Sequence, residues 1–314
     1  MLDNGTIAES RAGVTRELLH AALVVQNPTQ RWVSVRHPAM NPAFALAEAV
    51  WILNGRSDAA FLAHWNPVLT KYVGNDRNLH GAYGARLRHG HGLDQLRLAH
   101  SVLKSNPQSR QVVLQIWQPG IDLPDSNGQP RAQDIPCNLS SCLKVRGGRL
   151  HWLQTLRSND LFLGVPHNFV QFTMLQEIMA GWLSLELGEY TQVSDSLHLY
   201  SSDQRPDLID TTIIAAQNSD RFKDNFETST ACFRKLATVM DALLATDLRG
   251  LAKIHAKGLE LPMPYRNMFA VIAADDSRRR GENRESSRLM SQCSNGCYVQ
   301  LWDRWYERCT RLRT

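Results

Sequence analysis

LSSCLKVRGGRLHWLQTL, residues 139–156, reads as two β-strands, Leu139–Val145 and Leu150–Leu156, joined at Gly147-Gly148. A Gly-Gly pair supplies the positive φ values that a tight hairpin turn needs, and the flanks carry β-branched and large apolar residues. Upstream, Gln111–Trp117 clusters apolar residues as a further buried strand behind an amphipathic helix over 92–104. The stretch Pro119–Pro136, rich in Pro, Asp and Gly, is a loop that delivers the chain to Cys137 at the mouth of the hairpin. Downstream, 167–186 is a long apolar helix (Phe169, Phe172, Leu175, Ile178, Met179, Trp182), and Tyr190–Tyr200 is a strand carrying Asp195, His198 and Tyr200. Strands and helices mix without a βαβ rhythm, so the fold class is α+β.

Further out, residues 41–55 form a helix with defined ends. Asn41 caps it, Pro42 suits the first turn and Gly55 provides the left-handed stop. Phe44, Ala47, Val50, Trp51 and Ile52 make it apolar and leave Glu48 as the one embedded carboxylate. From about residue 225 the pattern turns helical, with segments near 226–246, 264–276 and 285–312, and no internal repeat is visible.

Composition excludes some classes. With 314 residues and 43% hydrophobic content the chain buries a sizeable core. No apolar run approaches the roughly 18 residues of a membrane span, and Asp3, Glu9 and Glu17 interrupt any signal-peptide core. No membrane association and a cytoplasmic setting are expected. The six cysteines lack the spacing of a disulfide scaffold, and Cys293 and Cys297 have no histidine close by in sequence, so free thiols and no metal site are expected. A net charge of +5 suits nucleic acid or phosphate-bearing small molecules equally.

Three motifs carry chemistry: Asp-Ile-Pro-Cys-Asn at 134–138, Arg-Ser-Asn-Asp-Leu-Phe-Leu-Gly-Val-Pro-His-Asn at 157–168, and Asp-Ser-Leu-His-Leu-Tyr at 195–200. Taken alone, Cys137 would more often be a buried inert thiol. Together the motifs, with the family's spacing between them, resemble thymidylate synthase over about residues 40–200. The resemblance implies a thymidylate synthase-like mixed sheet with surrounding helices, a catalytic core over 1–224 and a helical C-terminal extension over 225–314 packed on it. It also implies that Cys137 adds to C6 of a pyrimidine nucleoside monophosphate, with 5,10-methylenetetrahydrofolate as cofactor. A soft nucleophile beside a cation, here Arg157, suits that attack.

By the same resemblance Glu48 relays protons and Asn168 reads the base. Arg157 and Ser158 bind the 5′-phosphate, joined by Arg11 and by Arg110 from a partner subunit, which implies a homodimer. His198 and Tyr200 reach the sugar, while Asp160 and Gly164 serve the folate. An amide at Asn168 donates to uracil O4 and accepts from N3–H, so uracil is favoured; an amide turned over would suit cytosine.

The sequence also departs from the family. Asn138 stands for His, Cys142 for Gln, Gln111 for a second arginine, His167 for Phe, and Leu69 and Tyr72 for the tryptophans of the folate pocket. A synthase ends in a short apolar tail that closes over folate, whereas this sequence ends Thr-Arg-Leu-Arg-Thr. Looser closure lets water rather than hydride capture the one-carbon unit, so the reading leans to 5-hydroxymethylation of dUMP or UMP. Methylation of dUMP to dTMP and hydroxymethylation of CMP or dCMP are the alternatives. A reading from another class keeps the scaffold as a non-catalytic nucleotide- or RNA-binding protein; nucleic-acid binding is not expected.

Overall fold

The computed structural model describes residues 1, 3–10, 12–69, 77–204 and 207–311. Its centre is a six-stranded mixed sheet in the order β1-β2-β6-β5-β4-β3. The strands are β1 (Thr6–Ser10), β2 (Gly13–Val25), β3 (Val113–Gln115), β4 (Asn138–Arg146), β5 (Arg149–Asp160) and β6 (Glu186–Tyr200). All neighbours run antiparallel except β5 and β6, which are parallel. A parallel pair needs a crossover, and here the long helix Gly164–Trp182 supplies it. The architecture is therefore α+β with a single parallel step.

The hairpin expected between β4 and β5 is present, with Gly147 and Gly148 at φ 56° and 73°. The crossover helix starts at Gly164 and ends at Trp182, earlier at both ends than the 167–186 of the sequence reading. Ser184 at φ 55° turns the chain, and β6 begins at Glu186. The strand foreseen over Gln111–Trp117 shrinks to the three residues of β3 at the sheet's edge.

The helices of six residues or more among the described residues, in chain order, are α1 (Pro42–Leu53), α2 (Ala59–Trp65), α3 (Tyr83–Arg88), α4 (Gln95–Ser105), α5 (Gly164–Trp182), α6 (Phe226–Ala245), α7 (Leu251–Leu259), α8 (Tyr265–Arg279), α9 (Asn283–Met290) and α10 (Gly296–Arg311). Every residue of α1 other than Glu48 is buried, because α1 packs on α5 on one side and on α6 and α8 on the other. Its capping is as the sequence implies: Asn41 Oδ1 accepts from Phe44 N at 3.1 Å, and Gly55 sits at φ 67°. One continuous apolar core runs from Trp152 and Tyr190 of the sheet through α1 and α5 to Phe233, Phe269 and Trp302 of the C-terminal helices. No helix among the described residues is long and apolar enough to cross a membrane.

Candidate active site

Cys137 stands immediately before β4 on a segment held from two sides. Gly81 N donates to Asp134 Oδ2 at 3.0 Å, and a Cβ on Gly81 would stand 3.0 Å from the Asp134 carbonyl oxygen. The register shifts between Asn138 and Ser140, a bulge of the kind that re-aims side chains next to functional sites. The Leu139 carbonyl there accepts from both Ile116 N and Trp117 N.

Arg157 on β5 holds the other side. Its backbone N donates to the Cys137 carbonyl at 2.9 Å, Nε donates to Pro136 O at 3.0 Å and Nη2 to Ile135 O at 3.0 Å. Nη2 also lies 3.9 Å from Cys137 Sγ. Burial raises the thiol's pKa above its ordinary value; Arg157 pulls it down, and Asp134 and Asp160 push it up. Arg157 acts as the cation that the sequence reading sets beside the thiol, but burial outweighs it and the resting group is a thiol. Nη1 of Arg157 carries no hydrogen bond among the described residues.

Asn138 turns inward to a chain of buried polar side chains. Its Nδ2 donates to Asn168 Oδ1 at 3.0 Å, and its Oδ1 accepts from Gln154 Nε2 at 2.9 Å. Gln154 Oε1 in turn accepts from Trp152 Nε1 at 3.2 Å and from Ser141 Oγ at 2.6 Å. At the other end Asn168 Nδ2 donates to Asn159 Oδ1 at 3.1 Å, and Asn159 Nδ2 to Ser194 Oγ at 3.0 Å. Tyr83 joins through a hydrogen bond with Asn138. Burial raises its phenol pKa, the Cys137, Glu48 and Asp134 charges add to the rise, and Asn138 opposes it. Tyr83 is thus the common neighbour of Cys137 and Glu48.

Glu48 faces α5. Its carboxyl is raised from 4.5 to about 7 by burial, against a hydrogen bond from Gln171 that acts the other way. Its Oε2 lies 3.8 Å from His167 Nδ1; the two side chains are 17% and 22% exposed, and neither atom has a hydrogen-bond partner. His167 packs against Phe44, and burial together with the Arg36 charge lowers its pKa to about 4. A neutral imidazole therefore stands beside a carboxyl that ionises near neutrality.

The remaining candidates fall as follows. His198 and Tyr200 share one face of β6, their rings 5.3 Å apart and edge to face. Ser158 lies opposite Ser196 across the parallel pair. Asp160 Oδ1 accepts from Phe162 N and Leu163 N at 2.7 and 2.9 Å, so half of this carboxylate shapes the entry to α5. A Cβ on Gly164 would stand 2.8 Å from Asn159 Oδ1, which gives a structural reason for glycine there. Arg110 is exposed in the turn before β3 and does not join the cluster; Arg11 and Tyr72 lie outside the described residues.

The sequence reading missed Tyr83, Arg36, Gln154 and Trp152. Gln154 had a legible signal, since it takes an inward position between Trp152 and Leu156, where a polar side chain demands partners. Arg36, 7% exposed with its guanidinium 4.1 Å from the Phe162 ring, gave none.

Comparison with known proteins bears on what this constellation does. The family model described as thymidylate synthase matches residues 1–222. The deoxyuridylate hydroxymethyltransferase of Bacillus phage SP01 is 34% identical over 214 residues, covering 65% of this chain and 55% of that protein. The protein of the same name from Pseudomonas phage M6 is 36% identical over 179 residues, 56% of this chain and 50% of that protein. A thymidylate synthase from Francisella philomiragia is 25% identical over 214 residues, 64% of this chain and 76% of that protein. The chain spans about half the length of the two phage relatives.

Proposed function

The chain belongs to the thymidylate synthase family, and from that premise we propose that it transfers a one-carbon unit to C5 of deoxyuridylate and releases the 5-hydroxymethyl nucleotide. The observation that carries this reading is the bond from Asn138 to Asn168, which ties the amide that would read the base to the residue next to the nucleophile. The names of the two phage relatives support both deoxyuridylate and hydroxymethylation.

In this reading the Cys137 thiol loses its proton and Sγ bonds to C6, which makes C5 nucleophilic and places charge on O4. Asn168 meets that charge with the N–H not taken by Asn159, and its Oδ1 accepts from N3–H. The free Nη1 of Arg157 and the Ser158 hydroxyl take the 5′-phosphate, joined by Arg11 and a partner subunit's copy of Arg110. Leu19, Val24 and Val113 of the sheet remain 64%, 55% and 51% exposed, which supports self-association as a homodimer. His198 and Tyr200 hold the sugar.

5,10-Methylenetetrahydrofolate, when bound, supplies the one-carbon unit at the oxidation level of formaldehyde. Asp160 and the unpartnered Glu48 Oε2, His167 Nδ1 and Gln171 Oε1 fit a ligand that bears both donors and acceptors. C5 bonds to the unit and gives up its own proton to a base. With the carbon–nitrogen bond to the folate broken and tetrahydrofolate released, C5 carries the unit as an exocyclic methylene. Water then adds its oxygen to that carbon and gives up a proton. The electron pair passes to O4 and then expels Cys137 from C6. Glu48, titrating at about 7, is poised to exchange protons in this sequence.

The test is mass spectrometry after incubation with methylenetetrahydrofolate and, in parallel, UMP, dUMP, CMP and dCMP. A gain of CH2O on dUMP is expected. A gain of CH2 with dihydrofolate formed refutes hydroxymethylation, and no product from any nucleotide refutes the enzyme reading.

A further inference from the structure

We propose that Trp152 and Gln154 decide which pyrimidine the site accepts, by fixing the polarity of the Asn168 amide through Asn138. The inference rests on the reading of Asn168 as the base contact. An amide side chain in a polar chain can usually turn over, exchanging oxygen for nitrogen, and its orientation follows from its partners. Here the chain runs Trp152, Gln154, Asn138, Asn168, Asn159, Ser194, and each link is a hydrogen bond between 2.9 and 3.2 Å.

Reversing every amide at once preserves nearly all of these bonds. The hydroxyls of Ser141, Ser194 and Tyr83 donate or accept equally well, and each amide-to-amide link exchanges its two ends. One link does not survive. The indole Nε1–H only donates, so a turned Gln154 would face it with a second N–H. Trp152 and Gln154 are 1% and 0% exposed, so bulk water does not relieve that clash. A buried donor left unsatisfied corresponds to roughly tenfold to a hundredfold in population. Trp152 therefore anchors the whole chain in one direction.

That direction matches uracil. Asn168 Oδ1 takes one N–H from Asn138 and keeps a lone pair for N3–H, while Nδ2 gives one hydrogen to Asn159 and keeps one for O4. Cytosine presents the opposite pattern, an acceptor at N3 and a donor at N4, and needs the amide reversed. Trp152 and Gln154 touch no substrate; they are positioning residues acting through Asn138. The relay also explains a glutamine among the inward-facing residues Leu150, Trp152 and Leu156 of β5.

The test uses Trp152→Phe, which keeps a ring and removes the N–H, and Gln154→Leu, which uncouples Asn138 from the anchor. Calorimetry measures dUMP and dCMP affinity for each protein, with circular dichroism to confirm folding, and product formation is followed alongside. The expected result is a fall of about tenfold in the dUMP-to-dCMP affinity ratio for either folded variant, equivalent to about 1.4 kcal/mol. A packing defect alone would weaken both nucleotides together. Folded variants that keep the wild-type ratio overturn the relay. A wild-type protein that binds dUMP over dCMP but forms no product overturns the one-carbon reading instead, and the affinity ratio still decides the relay.

Discussion

Glu48→Gln should make the protein more stable in alkali while it removes turnover. Burial raises the Glu48 carboxyl from 4.5 to about 7, so the folded state binds its proton more tightly than the unfolded chain does. The stability linked to that proton is fully present below pH 4.5, declines as the unfolded chain ionises, and is gone above pH 7. At about 1.4 kcal/mol per pKa unit, the whole loss is about 3 kcal/mol, of which about 2 kcal/mol falls between about pH 5.5 and 8.5. Glutamine cannot ionise and escapes the loss. His167 acts in the opposite sense: its pKa is lowered to about 4, so its contribution is present above 6.5 and lost as pH falls through 4. To first order that effect is common to both proteins and cancels in their difference. Urea denaturation of wild type and variant across this range is the assay; the stability of the variant relative to wild type should rise by about 2 kcal/mol. Turnover should fall by about a hundredfold or more, as for loss of a proton-exchanging group. A difference that does not change with pH would show that Glu48 ionises freely, and the proton-exchange role would go with it.

Cys137→Ser should abolish nucleotide C5–H exchange while dUMP still binds; wild-type rates of tritium release from the variant would refute the covalent step. Glu177→Gln should destabilise the fold by about 3–5 kcal/mol in urea, because Arg31 and Glu177 pair at 2% and 4% side-chain exposure and the change strands the arginine charge. Loss of the Glu177 charge also weakens the acceptor for Phe222 N. Gly258→Ala would set a Cβ 2.1 Å from the Phe269 ring and should lower thermal stability by at least about 1–3 kcal/mol; an unchanged melting temperature would mean that α7 and α8 shift apart freely.

What the sequence made legible was local. Asn41 and Gly55 marked the ends of α1, Gly147-Gly148 marked the hairpin, and the lone carboxylate of an apolar helix singled out Glu48. What it hid depends on contacts far away in the chain. The β1–β2 hairpin escaped notice because His20, at φ 55°, interrupts the alternation of β2, whose pairing partner β6 is distant in sequence. The helix foreseen over 285–312 is broken between Met290 and Gly296, where the Asn295 amide reaches Asn218 and Asp220 at 2.6 and 2.8 Å. No propensity at 291–295 states that requirement. Arg157 was legible as a cation beside the thiol, but its bonds to the carbonyls of Ile135 and Pro136, which hold the nucleophile's own segment, follow only from the register of β4 on β5.

Two departures from the family pattern, Asn138 and His167, stand on different sides of the site, and each bears on a separate choice. On the base side, Asn138 with Gln154 and Trp152 forms an amide chain of defined polarity, which bears on uracil against cytosine. On the Glu48 side, an imidazole stands where the family usually has a phenyl ring. Arg36 lies near it, and Arg308 of α10 is close enough to lower the Arg36 pKa further, to about 10, after burial. Arg308 also donates to the Ala39 carbonyl at 2.6 Å, so α10, beyond the region that the family model matches, supports this wall. Burial, with the Arg36 charge adding to it, keeps His167 neutral, so its ring nitrogen can accept a hydrogen bond from water beside a carboxyl that exchanges protons near pH 7. A phenyl ring in that place offers water no hydrogen bond and leaves hydride the better partner for the methylene carbon; a neutral ring nitrogen that accepts a hydrogen bond can hold water there. The proposed hydroxymethylation thus draws its support from groups beside Glu48, whatever closes over them.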